Sequence, residues 1–236
     1  MKGVAIVGDH NSGKTTLGKR ILEYLRKKNY KVLAVKHMPH IKHFSDPTKD
    51  TEQYLKFSDF VVAEGENSYA VYYRERLTTH KLFALARNLA IDFLLYEGTP
   101  HGIFVPWIKV GTGKGDSPYT LWYIENPSSL SDDEIITLVE DIIDKAWEIP
   151  MMLNCGKCGV KTCQEYIERV LSKEDISCVL WHSRLRIIVD GKEIPLVPFI
   201  DDLYSSVIEA LVKNLKGMGS SYSEVEIYMR REKYED

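Results

Sequence analysis

Apolar residues recur along this chain with two periods. Val4–Val7 is a short unbroken apolar run, the pattern of a strand buried on both faces. Leu17, Ile21, Leu22 and Leu25 then follow at helical spacing with Lys and Arg between them. Tyr30–Val35 returns to a strand pattern, so the segment reads as strand–helix–strand, a unit that sets its two strands parallel. Phe60–Ala63, Tyr69–Tyr73, Phe93–Tyr96, Ile103–Val110 and Thr120–Ile124 are further strands, and Leu82–Leu89 is helical. Ser131 with Glu134 three residues on forms a capping box, and opens a helix running to about Trp147. Pro150 is a natural stop. Beyond it come a helix over Gln164–Leu171, a strand over Arg184–Val189, a turn at Asp190-Gly191 and a returning strand over Ile194–Phe199. Leu203, Val207, Ile208, Leu211 and Leu215 mark a last helix, with Gly217 near its C-cap, and residues 220–236 are polar. The pattern predicts an α/β domain over residues 1–149, a mostly parallel sheet flanked by helices, and a smaller α+β domain over 150–236.

Composition narrows the function classes without naming one. The chain has 236 residues, 44% of them hydrophobic and 28% charged, which excludes a disordered or fibrous protein. A net charge of -3 gives no electrostatic case for nucleic acid. No apolar run approaches the roughly 18–20 residues of a membrane span, and the N-terminus lacks the pattern of a signal peptide. The expectation is a cytoplasmic protein without a membrane partner. In that compartment clustered cysteines are metal ligands or redox groups rather than disulfides.

"GDHNSGKT", Gly8 to Thr15, fits the phosphate-loop pattern G-x-x-x-x-G-K-[ST] in full, with a strand before and a helix after. Successive backbone N–H groups in such a loop form an anion nest, and the helix N-terminus adds partial positive charge. Gly8, Asn11, Ser12, Gly13, Lys14, Thr15 and Thr16 are the candidate nucleotide contacts. Lys14 reaches the outer phosphates, and the Thr15 hydroxyl is a Mg²⁺ ligand. The fold class sharpens to a P-loop NTPase. The loop does not choose the base: Gly113-Lys114-Gly115-Asp116 has Lys and Asp at guanine-reading spacing but lacks the Asn, and reads more readily as a solvated loop.

A magnesium–triphosphate site needs a carboxylate beyond the loop. Glu97 closes the apolar run FLLY and so stands at the carboxyl end of a buried strand, where ligands of open α/β sheets bind. Glu97 joins Lys14 as a catalytic candidate, and Asp50 is the second acid for the metal. In "VKHMPHIKH", His37, His40 and His43 lie three apart after the second strand, as a metal site or a ligand-facing loop. No water-positioning Gln or arginine finger stands out, Arg74 and Arg76 being the only arginines considered, so any hydrolysis is slow.

Three of the four cysteines fall within nine residues, in the spacing C-x2-C-x4-C-x14-C over Cys155, Cys158, Cys163 and Cys178. Zinc knuckles pair C-x2-C with a second knuckle. Here three ligands sit on one tight loop and one reaches back, which favours a [4Fe–4S] cluster with zinc as the alternative. Gly156 and Gly159 permit the tight loop.

These segments carry two resemblances. "VAIVGDHNSGKTTL", "VLAVKHMPH", "TKDTEQYLKFSDFVV" and "IDFLLYEGTPH" are similar, in order and spacing, to the molybdopterin-guanine dinucleotide biosynthesis adaptor family, with Thr48 and Thr99 as departures. That resemblance implies a dimeric GTP-binding protein of weak GTPase activity. It implies work beside the nucleotidyltransferase that joins GMP to molybdopterin, with molybdopterin or its guanine dinucleotide as a further ligand. It makes Asp50 and Glu97 phosphate-side acids, and His37 and His40 cofactor-site residues. Residues 155–178 resemble the four-cysteine [4Fe–4S] module of corrinoid iron–sulfur proteins; with "IPLVPF" beyond them, the whole looks like long archaeal forms of the adaptor. A nucleotide-gated metallocluster or metal-insertion chaperone is the alternative function, and an ATP-dependent small-molecule kinase a third.

Overall fold

A computed structural model of the chain describes residues 1–38, 53–112, 117–189, 192–217, 222, 225–227 and 229. In chain order the elements are β1 (Lys2–Gly8), α1 (Lys14–Lys27), β2 (Val32–Lys36), β3 (Phe60–Glu64), β4 (Tyr69–Tyr73), α2 (Thr79–Asn88), β5 (Phe93–Glu97), β6 (Trp107–Val110), β7 (Thr120–Ile124), α3 (Asp132–Lys145), α4 (Cys163–Leu171), β8 (Ile187–Val189), β9 (Lys192–Ile194) and α5 (Pro198–Lys213). Five strands form a parallel sheet in the order β2-β5-β1-β6-β7. The α/β expectation holds, and β1, the strand that leads into the phosphate loop, is central. β3 and β4 stand apart as an antiparallel hairpin.

Alternation along β1 feeds two cores. Val4 and Ile6 pack with Leu17, Ile21 and Leu25 of α1 and with Ile135, Val139 and Ile142 of α3. Ala5 and Val7 join the other core, with Leu82, Phe83 and Ala86 of α2. Each fully buried Leu, Ile or Val contributes roughly 1.5–3 kcal/mol, so the sheet is held from both sides. α3 opens on the predicted capping box: Glu134 N donates to Ser131 Oγ at 3.2 Å, and Ser131 N to Glu134 Oε2 at 2.7 Å. Gly3 shows how closely the strands are packed, since a Cβ there would lie 2.7 Å from the Leu94 carbonyl oxygen.

The second core also takes in the cysteine segment. Val160, Tyr166, Ile167, Cys178 and Leu180 are buried together with Ala5, Val7 and Leu94. The Tyr166 hydroxyl donates to Glu148 O at 2.9 Å, with Ile176 O at 3.3 Å, and the Trp181 indole donates to Ile149 O at 2.6 Å. The first compact unit spans residues 1–181 and the second 182–236.

Three element boundaries differ from the sequence reading for local reasons. Ile103–Val110 contains Pro106, which has no N–H to give a ladder, and only Trp107–Val110 pairs. Ile194–Phe199 yields just one strand residue, because Pro198 stands at the first turn of α5. The cap of α5 is Asn214 rather than Gly217. In the second unit, β8 and β9 pair antiparallel from Ile187↔Ile194 to Val189↔Lys192. The intervening Asp190-Gly191 lies outside the described residues. Asp201, 7% exposed, accepts from the backbone N–H groups of Arg184 and Leu185 at 3.2 and 2.9 Å and so ties α5 to the chain entering β8.

Candidate functional site

The carboxyl edge of the parallel sheet assembles the first site. β1 ends at Gly8, whose Cβ, if it had one, would lie 2.3 Å from Val110 O and 3.0 Å from Ser12 Oγ. The loop turns through Asn11 at φ 60° and Gly13 at φ 91°, the latter the N-cap of α1. No side chain caps that helix, so its first N–H groups face the loop. The Lys14 ammonium folds back on the loop carbonyls, 2.9 Å from Gly8 O and against Asp9 O. Ser12 Oγ is buried and has no hydrogen-bond partner among the described residues. An anion-ready backbone, a lysine and an unsatisfied hydroxyl fit a phosphate group.

Thr15, on the first turn of α1, donates its hydroxyl to Glu97 Oε1 at 2.7 Å. Glu97 closes β5 and pairs in register with Ile6 of β1 and Lys36 of β2. The structure thus brings together two of the three residues assigned to magnesium. An aliphatic hydroxyl and a carboxylate at that separation are suitable oxygen ligands for a hard cation. Asp50 and His40 lie outside the described residues, as do Lys114 and Asp116. His37 follows β2 and its N–H donates to Glu97 O at 2.9 Å. Its ring stacks toward Tyr96, with centroids 6.5 Å apart, and meets His101 edge-on at 5.5 Å. Thr16 is exposed, and Arg74 donates to the Lys56 carbonyl at 3.2 Å.

Sequence reasoning gave no role to two residues at this edge. Lys36 Nζ lies 3.1 Å from Glu97 Oε1 and 3.2 Å from Thr15 Oγ1. His101 meets His37. Both stand in the quoted segments, Lys36 before His37 and His101 at the end of "EGTPH". Only the β2–β5 register shows that Lys36 faces Glu97.

The second site is the cysteine cavity. Cys155, Cys158, Cys163 and Cys178 all line one apolar pocket, walled by Leu153, Val160 and Leu180 among others. The loop turns tightly through Met152, Asn154, Gly156 and Gly159, all at positive φ. Asn154 Oδ1 accepts from Cys163 N at 2.8 Å, and Thr162 caps α4 through Glu165 N. Burial raises the Cys178 thiol to about 11, offset in part by N–H donors from Met151 and Leu180. Burial likewise raises Cys158, against donors that include Val160 N–H. Among the described residues no three His, Cys, Asp or Glu side chains close on one point as ligands of a single ion. Four thiols around an apolar cavity, with N–H groups aimed at the sulfurs of Cys158 and Cys178, fit a multi-iron cluster.

The two sites lie at opposite ends of β1. Its first residues bridge the helix-to-cysteine connection, through Lys2↔Glu148 and Ile149 N donating to Met1 O, while Gly8 enters the phosphate loop. Seven residues of strand span about 20 Å.

Two family models match the chain. Residues 4–116 match the family model described as molybdopterin guanine dinucleotide synthesis protein B. Residues 152–178 match the model described as "Putative Fe-S cluster". A curated relative from Methanocaldococcus jannaschii, named "Putative molybdopterin-guanine dinucleotide biosynthesis adapter protein", is 29% identical over 227 residues, which is 92% of this chain and 93% of the relative. Two solved structures of Bacillus subtilis MobB are similar. One is 28% identical at a TM-score of 0.35, covering 46% of this chain and 64% of that one. The other is 20% identical at 0.45, covering 60% and 98%. Among the described residues no helix is long and apolar enough to cross a membrane. Residues 4–116 are thus similar to the molybdopterin guanine dinucleotide synthesis protein B family, and the cysteine segment behind them to an iron–sulfur model.

Proposed function

We propose that this protein is a GTP-binding adaptor of molybdopterin-guanine dinucleotide biosynthesis or delivery that hydrolyses its nucleotide slowly and carries a [4Fe–4S] cluster. The observation that carries the reading is the Thr15–Glu97 contact of 2.7 Å at the mouth of a phosphate loop, next to an unsatisfied Ser12 hydroxyl. The molybdopterin-guanine dinucleotide role follows the words of the relative's name and of the family model, and GTP rather than ATP is what the resemblance to the adaptor family implies. The loop backbone and Lys14 hold the phosphates. Thr15 and Glu97 would hold Mg²⁺, with Asp50 proposed from the sequence as a further ligand, and the ion would neutralise phosphate charge. His37, whose N–H donates to Glu97 O, and His101, edge-on to His37, would form a polar wall for a second ligand. Homodimer formation and a molybdopterin nucleotidyltransferase partner belong to the same proposal.

The four cysteines would hold the cluster, which supplies redox capacity or a structural staple. The buried pair, Cys163 and Cys178, fixes it to the sheet core, and the half-buried Cys155 and Cys158 form its outer rim. Coupling between cluster and phosphates would run through β1 and the core it shares with the cysteine segment.

The test is anaerobic isolation of the full chain, with bound nucleotide, pterin and metal measured together. The reading expects guanine nucleotide, retention of added molybdopterin or its dinucleotide, and about four irons per chain. Iron with no affinity for pterin would favour the chaperone reading instead. One zinc per chain and no iron would refute the cluster.

A further inference from the structure

Lys36 sits where a divalent cation belongs. Its Nζ lies 3.1 Å from Glu97 Oε1 and 3.2 Å from Thr15 Oγ1, two oxygens themselves 2.7 Å apart. In a magnesium octahedron with metal–oxygen bonds of about 2.1 Å, adjacent ligand oxygens are about 3 Å apart. The Thr15–Glu97 pair is thus spaced like one edge of such an octahedron, and the ammonium caps that edge. A dication bound across that edge on the side where Nζ now rests would fall well inside contact distance of it, so on that side one cation excludes the other. The second lysine of the site is turned away from this edge, because the Lys14 ammonium is held on the carbonyls of Gly8 and Asp9.

Exposure makes the arrangement reversible. The Lys36 side chain is 51% exposed, whereas Glu97 is 15% exposed and fixed in the β5 ladder. The carboxylate stays put while the lysine, on four rotatable carbons, is free to swing. Its strand-end position beside the phosphate loop leaves it one natural destination, the outermost phosphate of a bound triphosphate.

We propose that Lys36 is a resident counter-ion of the Thr15–Glu97 pair that Mg²⁺ must displace, and that the freed ammonium then takes the terminal phosphate. The site would be closed to free divalent metal and open to metal brought with a triphosphate, which supplies the anion that relocates the lysine. This rests on the reading of the edge as a nucleotide site, but its first half is tested without nucleotide.

The experiment titrates Mn²⁺ alone, followed by its paramagnetic resonance signal, into wild-type protein, Lys36→Met, Lys36→Arg and the double variant Lys36→Met/Glu97→Gln. Breaking a half-exposed ion pair corresponds to about 1.4- to 5-fold in affinity. Lys36→Met should therefore bind Mn²⁺ tighter by that factor, Lys36→Arg should stay weak, and the double variant should lose the gain. Equal Mn²⁺ affinity in wild type and Lys36→Met, or a gain that survives loss of Glu97, overturns the counter-ion role. A parallel titration with GTP and GDP reads the second half. The wild-type preference for GTP should shrink in Lys36→Met, and an unchanged ratio overturns the transfer to the terminal phosphate. Failure of the nucleotide reading is separately visible as wild-type protein that binds neither nucleotide.

Discussion

Tyr166 tests whether the cysteine segment is a layer of the sheet domain or an appendage to it. Its ring is 1% exposed, in the core shared by Ala5, Val7 and Leu94, and its hydroxyl bonds the Glu148 carbonyl at 2.9 Å. Tyr166→Phe keeps the volume and removes that bond, at a cost of about 1 kcal/mol. Tyr166→Ala empties the site as well, and buried aromatic-to-alanine changes cost about 3–5 kcal/mol. For a unit of this size 1 kcal/mol moves Tm by about 2–4 °C. The expected losses are thus about 3 °C for Tyr166→Phe and about 10 °C or more for Tyr166→Ala. Thermal unfolding followed by far-UV circular dichroism gives the shift, and native-state hydrogen exchange shows where it acts. Amides of β1 and β5 should lose protection together with those of α4. If β1 and β5 keep their protection while only residues 150–181 loosen, the cysteine segment is an independent module and the shared core is wrong.

Other outcomes follow from single contacts. Gly8→Ala places a Cβ 2.3 Å from Val110 O; it should abolish GTP binding in calorimetry and lower stability by about 1–3 kcal/mol. Cys163→Ala should lower iron content below that of wild type on anaerobic isolation, because its donor lines the cavity with the other three; wild-type iron would remove Cys163 from the ligand set. Asp141 is held below the usual carboxylate range by hydrogen bonds first from Lys145 and then from the Trp122 indole. A depressed folded pKa means the stabilisation is full above the unfolded value near 3.9 and lost as pH falls through the folded one. Asp141→Asn should therefore flatten the acid limb of an unfolding titration, and an unaltered limb would show that these bonds carry no linkage.

Much of this architecture was legible because local chemistry and global fold agree. The unbroken run of β1, the period of α1 and the Ser131–Glu134 box each have one good structural solution, and each was realised. Glu97 was readable as a site residue because an acid closing a buried strand has a defined place in a parallel sheet. Lys36 was not, because its significance lies in a β2–β5 register that joins residues 61 positions apart. The covering of the sheet by residues 150–181 was equally hidden. Val4–Val7 announces burial on both faces but not which segments cover them. Ile194–Phe199 misled in the opposite sense: its apolar run suits a strand, and Pro198 turns it into a helix start.

The central claim is that Gly8 to Thr15 binds guanine nucleotide through Lys14, whose ammonium now rests 2.9 Å from Gly8 O and is free to exchange that carbonyl for phosphate. Calorimetric titration of magnesium–GTP into wild type and Lys14→Ala tests it most directly. Charge-assisted bonds to phosphate are each worth about 1.5–3 kcal/mol, so the variant should bind at least about 100-fold more weakly. Equal affinity in the two proteins, or wild-type protein that takes up no GTP, would contradict the account.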